Sequence, residues 1–116
     1  MGRMSREKGK RFERQVAALF REEGFTDAQR SAQVMGKTGQ AADVIGVDGI
    51  HIECKAQERM CLYDWMEQAV RDSQAGQGDF PVVVHKQNNK DILVTMRWSE
   101  WIELFREWSN GLWRDG

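Results

Sequence analysis

The sequence predicts an α/β domain with a central, mixed, four-stranded sheet flanked by helices, in the order αββαββα. Three observations lead there. Apolar residues recur at helical spacing in three separate stretches, at the two ends and in the middle of the chain. Between them lie two pairs of β-branched runs, each pair joined by a short polar turn. No repeat and no linker interrupts the order, and 116 residues at 41% hydrophobic composition fit one domain spanning residues 1–116.

The first helix is read from Arg6 to Glu23, where Phe12, Val16, Leu19 and Phe20 form an apolar stripe and Gly24 supplies the C-terminal stop. Glu13 falls on the flank of that stripe, between the core side and a sector holding Arg6, Lys10, Arg14 and Arg21. Ser31 to Ala42 has no apolar period and reads as a loop. Its Gly36-Lys37-Thr38 is not a phosphate-binding P-loop, because the earlier glycine that motif requires would fall at Ser31. Asp43 to Val47 and Ile50 to Lys55 read as strands of a hairpin turned by Asp48-Gly49. Leu62 to Ala75 is a second helix with Leu62, Trp65, Met66, Ala69 and Val70 as its buried stripe, ended by Gly76 and Gly78. Phe80 to Lys86 and Asp91 to Met96 are strands joined through Gln87, Asn88 and Asn89. Ser99 is placed to cap a last helix whose Trp101, Ile102, Phe105 and Trp108 share a face suited to a core or subunit contact.

Composition excludes several classes. No apolar run approaches the roughly 20 residues of a membrane-spanning helix. The N-terminus is basic and polar rather than a secretion signal, and Cys54 and Cys61 form no disulfide framework, so a cytoplasmic protein with reduced thiols is expected. His51 and His85 with the two cysteines lack zinc-ligand spacing. The net charge of −1 conceals an asymmetry: residues 1–14 hold six basic and two acidic side chains, and the remainder carries −5. Basic charge is thus concentrated where a phosphate backbone could meet it.

Period-two geometry places His51, Glu53 and Lys55 on one face of their strand and Ile50, Ile52 and Cys54 on the other. Asp43 opens the neighbouring strand, so two carboxylates and an ammonium meet at one sheet edge. Hard divalent ions such as Mg²⁺ take oxygen ligands of this kind, and phosphodiester hydrolysis needs an activated water and neutralisation of developing charge. Register is decisive. A two-residue turn would pair Asp43 with Cys54 and turn it away from Glu53, so a three-residue loop, Val47 to Gly49, with Gly49 left-handed, or an equivalent bulge, is expected to set Asp43 opposite Glu53.

The ordered set Lys8-Gly9, Glu13-Arg14, Gly24-Phe25, Arg30-Ser31, Ala42-Asp43-Val44-Ile45-Gly46 and Ile52-Glu53-Cys54-Lys55 resembles the PD-(D/E)XK nucleases. Within them it is similar to the archaeal-type Holliday junction resolvases and their phage relatives, over about Lys8 to Met96. Ala42 stands where the family motif often has proline, and the Asp43-to-Glu53 spacing is short. The resemblance implies a restriction-endonuclease-like fold. It also implies a metal-dependent endodeoxyribonuclease for branched DNA. Asp43 and Glu53 would ligate Mg²⁺ or Mn²⁺ beside the backbone carbonyl of Cys54, Glu13 would be a further metal or metal-water ligand, and Lys55 would serve the attacking water. Arg14 and Arg30, with Arg6 and Lys10 of the basic terminus, would hold phosphates. A restriction-like or repair nuclease acting on duplex DNA shares these residues. A non-catalytic nucleic-acid-binding module of the same fold has no need of two carboxylates beside phosphate. An assembly subunit would instead use the tryptophan-rich tail. Two symmetric cuts from one site per chain imply a homodimer, joined through the second helix around Leu62, Trp65 and Met66, or less favoured, the tail around Trp101, Phe105 and Trp108.

Overall fold

The first helix, α1, starts well before its apolar stripe does. In the computed structural model, which describes residues 2–31, 42–75 and 79–115, it runs Gly2–Glu22. The basic N-terminal residues are therefore helical. At the other end Gly24 adopts φ +103°, its N–H donating to the Arg21 carbonyl at 3.1 Å while the Phe25 N–H donates to the Phe20 carbonyl at 3.0 Å. That pair of bonds is a Schellman stop, completed by an edge-on contact of the Phe20 and Phe25 rings at 5.8 Å.

The strands are β1 (Gln29–Arg30), β2 (Val44–Ile45), β3 (Ile50–Ala56), β4 (Phe80–Lys86) and β5 (Leu93–Thr95), with α2 (Leu62–Ala75) and α3 (Trp98–Asp115). They form one mixed sheet ordered β1-β2-β3-β4-β5, parallel only between β3 and β4. The sheet has five strands where the sequence predicts four. The extra one, β1, is two residues long, too short to show alternation, and exists because the chain leaving α1 pairs Arg30 with Val44 and Gln29 with Ile45. The predicted loop lies outside the described residues except for Ser31 and Ala42, as do Gly76 and Gly78.

Each face of β3 has its own cover. Phe12, Val16 and Ala17 of α1 bury against Val44, Ile52, Cys54, Val82 and Val84. On the opposite face Trp65 and Ala69 of α2 close over Val83. Trp65 is only 5% exposed, so the second helix, favoured from sequence as the subunit contact, spends its largest ring on the core. The tail does the reverse: Trp98, Trp101, Leu104, Phe105 and Trp108 are all exposed, and the four aromatic rings follow one another at 5.2–5.5 Å along α3. Its face is not core. Nor does Ser99 cap this helix, which already includes Trp98; the Ser99 hydroxyl donates to Glu100, whose carboxylate is gripped by Arg97 at 2.8 and 2.9 Å. No helix among the described residues is long and apolar enough to cross a membrane.

Candidate active site

The β2–β3 hairpin sets the geometry. Val44 pairs with Ile52 and Gly49 is left-handed at φ +93°, the turn expected of a loop from Val47 to Gly49, and Asp43 lies close enough to Glu53 to feel its charge. Asp43 is held on three sides. Its N–H donates to the Ile52 carbonyl at 2.8 Å, its carbonyl accepts from the Ser31 N–H at 3.0 Å, and its carboxylate Oδ2 accepts the Cys54 N–H at 2.8 Å. The carboxylate thus takes the ladder donor that a longer β2 would have paired, and is seated over β3 between Glu53 and Cys54.

Burial and the neighbouring Glu53 charge raise the Asp43 pKa from 3.8 to about 7, with Glu13 adding to the rise while the Cys54 N–H and Lys55 oppose it. Two carboxylates are therefore held together with too little positive charge to balance them, a deficit that suits a cation. Glu53 is 3% exposed, because β3 is central and α2 covers that face. Its Oε2 lies 2.8 Å from Nε2 of buried His51. Lys55, next but one along the same face, donates from Nζ to Gln68 Oε1 at 3.3 Å. The Cys54 thiol belongs to the α1 side; burial and Asp43 push its pKa up, which leaves its backbone as the part near the carboxylates.

Glu13 and Arg30 are brought together as a pair. Arg30 Nε donates to Glu13 Oε1 at 2.7 Å, and both side chains are largely buried. Glu13 is close enough for its charge to be felt at Asp43 and Cys54, yet its carboxylate is matched by Arg30. Among the described residues the one compact group of metal-ligating side chains is His51, Glu53 and Asp72, whose ligating atoms lie within 4.8 Å of one another. Sequence reasoning missed Asp72. Its signal was the α2 stripe, since Trp65, Ala69 and Ser73 are buried and Gln68 and Asp72 lie beside them one turn apart. His85 is elsewhere, against Trp65 at 5.7 Å and bonded to Thr95. Arg6, Lys10 and Arg14 are exposed on α1. A small cleft of about 140 Å³ near the C-terminal ends of β3 and β4 is lined by Lys8 and Arg11 of the basic N-terminal stretch and by Lys86, which was not anticipated from sequence.

The family model described as "Phage putative PDDEXK endonuclease" matches residues 4–113. The chain belongs to this nuclease family. The structure is similar to that of Hjc, a Holliday junction resolvase from Archaeoglobus fulgidus, with 25% identity and a TM-score of 0.55 over 77% of this chain and 72% of that one. No curated protein matches the sequence. Membership in the PDDEXK family makes the chain a nuclease of restriction-endonuclease-like fold, and nucleases of this family use divalent metals.

A metal-free prediction follows from the Asp43 environment. Its pKa is raised on folding, so protonation favours the folded state: the contribution of Asp43 is most favourable below about pH 4 and is lost as pH climbs from about 4 to about 7, the penalty being complete above that. Asp43→Asn keeps an acceptor for the Cys54 N–H but removes the charge. In EDTA it should be more stable than the parent at pH 8, by on the order of 2 kcal/mol, and no more stable at pH 4. Urea unfolding at the two pH values measures this; a difference independent of pH would mean the charge is not what strains the site.

Proposed function

We propose that the protein is a Mg²⁺- or Mn²⁺-dependent endodeoxyribonuclease that hydrolyses phosphodiester bonds in branched DNA. The observation that carries the reading is the Asp43 carboxylate fixed over β3 beside Glu53, with Lys55 on the same strand face as Glu53. Asp43, Glu53 and the Cys54 carbonyl would hold the ion. Bound there, it supplies Lewis acidity and makes a coordinated water a better nucleophile. Lys55 orients that water and offsets charge developing on the phosphate. Glu13, through Arg30, borders the site and is a candidate outer ligand. The preference for branched DNA is supported by the likeness to a junction resolvase. Labelled four-way junction and matched duplex, each with Mg²⁺, test it: paired, symmetry-related nicks confined to the junction are expected. Equal cutting of both substrates would make the protein a duplex nuclease.

Arg6, Lys10 and Arg14 are exposed cations on one helix and are assigned to phosphates. Changing any one to alanine should reduce the slope of log affinity against log salt by about 0.9. Arg30→Ala should change it less, because Glu13 already balances that charge. Equal slopes for all four variants and the parent would return these residues to the solvated surface.

We assign the working form to a homodimer joined through α3. Trp98, Trp101, Phe105 and Trp108 repeat at intervals of three and four, the seam pattern by which one helix packs along another like itself. Their exposed area with Leu104 comes to roughly 600 Å² per chain, near the roughly 800 Å² per partner of a standard interface. Trp101→Glu should abolish the dimer in light scattering. A parent that is monomeric with and without junction DNA would refute it.

A further inference from the structure

Strand β3 offers its α2-facing row as His51, Glu53 and Lys55, and α2 meets that row with two polar side chains one turn apart. Gln68 takes the Lys55 ammonium at 3.3 Å, and Asp72 brings a carboxylate oxygen within 4.8 Å of both His51 and Glu53. His51 and Glu53 are 7% and 3% exposed, so neither has water enough to replace a lost partner. Their 2.8 Å separation is a hydrogen-bond length, shorter than two ligands on one ion normally keep. One oxygen of Glu53 is thereby committed to the imidazole, and the other has no hydrogen-bond partner among the described residues.

We propose that His51, with Asp72 nearby, is the positioning residue for Glu53, fixing its carboxylate so that the remaining oxygen is presented to the divalent ion. This rests on the reading of Glu53 as a metal ligand given above. A glutamate has three side-chain torsions, and an unrestrained one would have to be ordered each time an ion binds. An imidazole at hydrogen-bond distance, with the Asp72 carboxylate within 4.8 Å, removes that freedom beforehand, in the way partners of metal ligands commonly do. The arrangement also explains why α2, remote in sequence from the Asp43–Glu53 hairpin, turns polar side chains inward at 68 and 72 while keeping Trp65 and Ala69 apolar.

Mn²⁺ binding followed by electron paramagnetic resonance, alongside nicking titrated with Mn²⁺, tests the proposal. His51→Leu should weaken Mn²⁺ binding about 10–100-fold and shift the nicking midpoint to higher metal by a similar factor. Cleavage at saturating metal should return to within a few-fold of the parent. His51→Gln places an amide N–H where Nε2 stands and should recover most of the affinity, whereas His51→Asn, which is too short, should not. Asp72→Asn should show a smaller loss of the same kind. Unchanged affinity in His51→Leu would overturn the proposal. Loss of one of two bound ions, with the other unaffected, would overturn it too, making His51 itself a ligand. If leucine makes the chain fold poorly, the comparison of glutamine with asparagine decides, and equal affinities there count against positioning. Unchanged affinity in Glu53→Gln would instead remove the ligand reading of Glu53 on which all of this stands.

Discussion

Asp43→Asn and Glu53→Gln are each expected to lower single-turnover cleavage by at least about 10²–10³-fold while DNA binding holds or tightens. Neither substitution should unfold the chain. Asparagine at 43 still accepts the Cys54 N–H, and glutamine at 53 can still meet His51, so what is withdrawn is charge rather than a structural partner. Loss of that charge removes an anionic ligand and with it the means of concentrating a divalent ion at the scissile phosphate. Binding responds in the opposite sense, because two crowded carboxylates repel the phosphate backbone and one repels it less. Cleavage assays in Mg²⁺ and binding assays in EDTA on the same substrate separate the two effects. Near-parental cutting by either variant would mean that the Asp43–Glu53 pair is not the catalytic site.

How much of this could be read in advance differs from element to element, for reasons of length and of distance along the chain. The helices are legible because their apolar period extends over several turns, and the long strands β3 and β4 because each is a seven-residue run between turn residues. The turn of the hairpin was legible from chemistry: keeping Asp43 near Glu53 called for a loop ending in a left-handed Gly49 or an equivalent bulge, and Gly49 has φ +93°. Strand β1 was not, since two residues carry no period and Arg30 pairs with Val44 only because α1 ends where it does. The face of α3 was visible, but periodicity says that a face is apolar without saying what covers it, and among the described residues Trp98 is left 71% exposed. The site divides along the same line. Asp43, Glu53 and Lys55 lie within one hairpin and could be placed by counting. The pairing of Glu13 with Arg30, and of His51 with Glu53 beside Asp72, depends on how separate elements are packed together.

The hairpin's attachment to the rest of the fold rests on Gly46, and Gly46→Ala should destabilise the protein by about 3 kcal/mol or more. Two independent costs meet there. The residue sits at φ +89°, where a side chain is strained, and a Cβ would stand 2.0 Å from the Asp27 carbonyl oxygen and 2.5 Å from its carbon. Those are backbone atoms with little room to move: Ala28 is 1% exposed, and its carbonyl is bonded by Arg21 at 2.8 Å. Gly49→Ala is the internal control, with nearly the same φ but open space around the added methyl, so only the backbone strain of about 1 kcal/mol should appear. The difference between the two variants in urea unfolding therefore isolates the close approach of β2 to the turn after α1. It also bears on activity, since a displaced β2 carries Asp43 away from the Cys54 N–H that orients its carboxylate. Gly46→Ala should cut poorly even at temperatures where it remains folded, whereas Gly49→Ala should stay within a few-fold of the parent. Equal destabilisation by the two alanines would show that the contact with Asp27 contributes nothing to the fold.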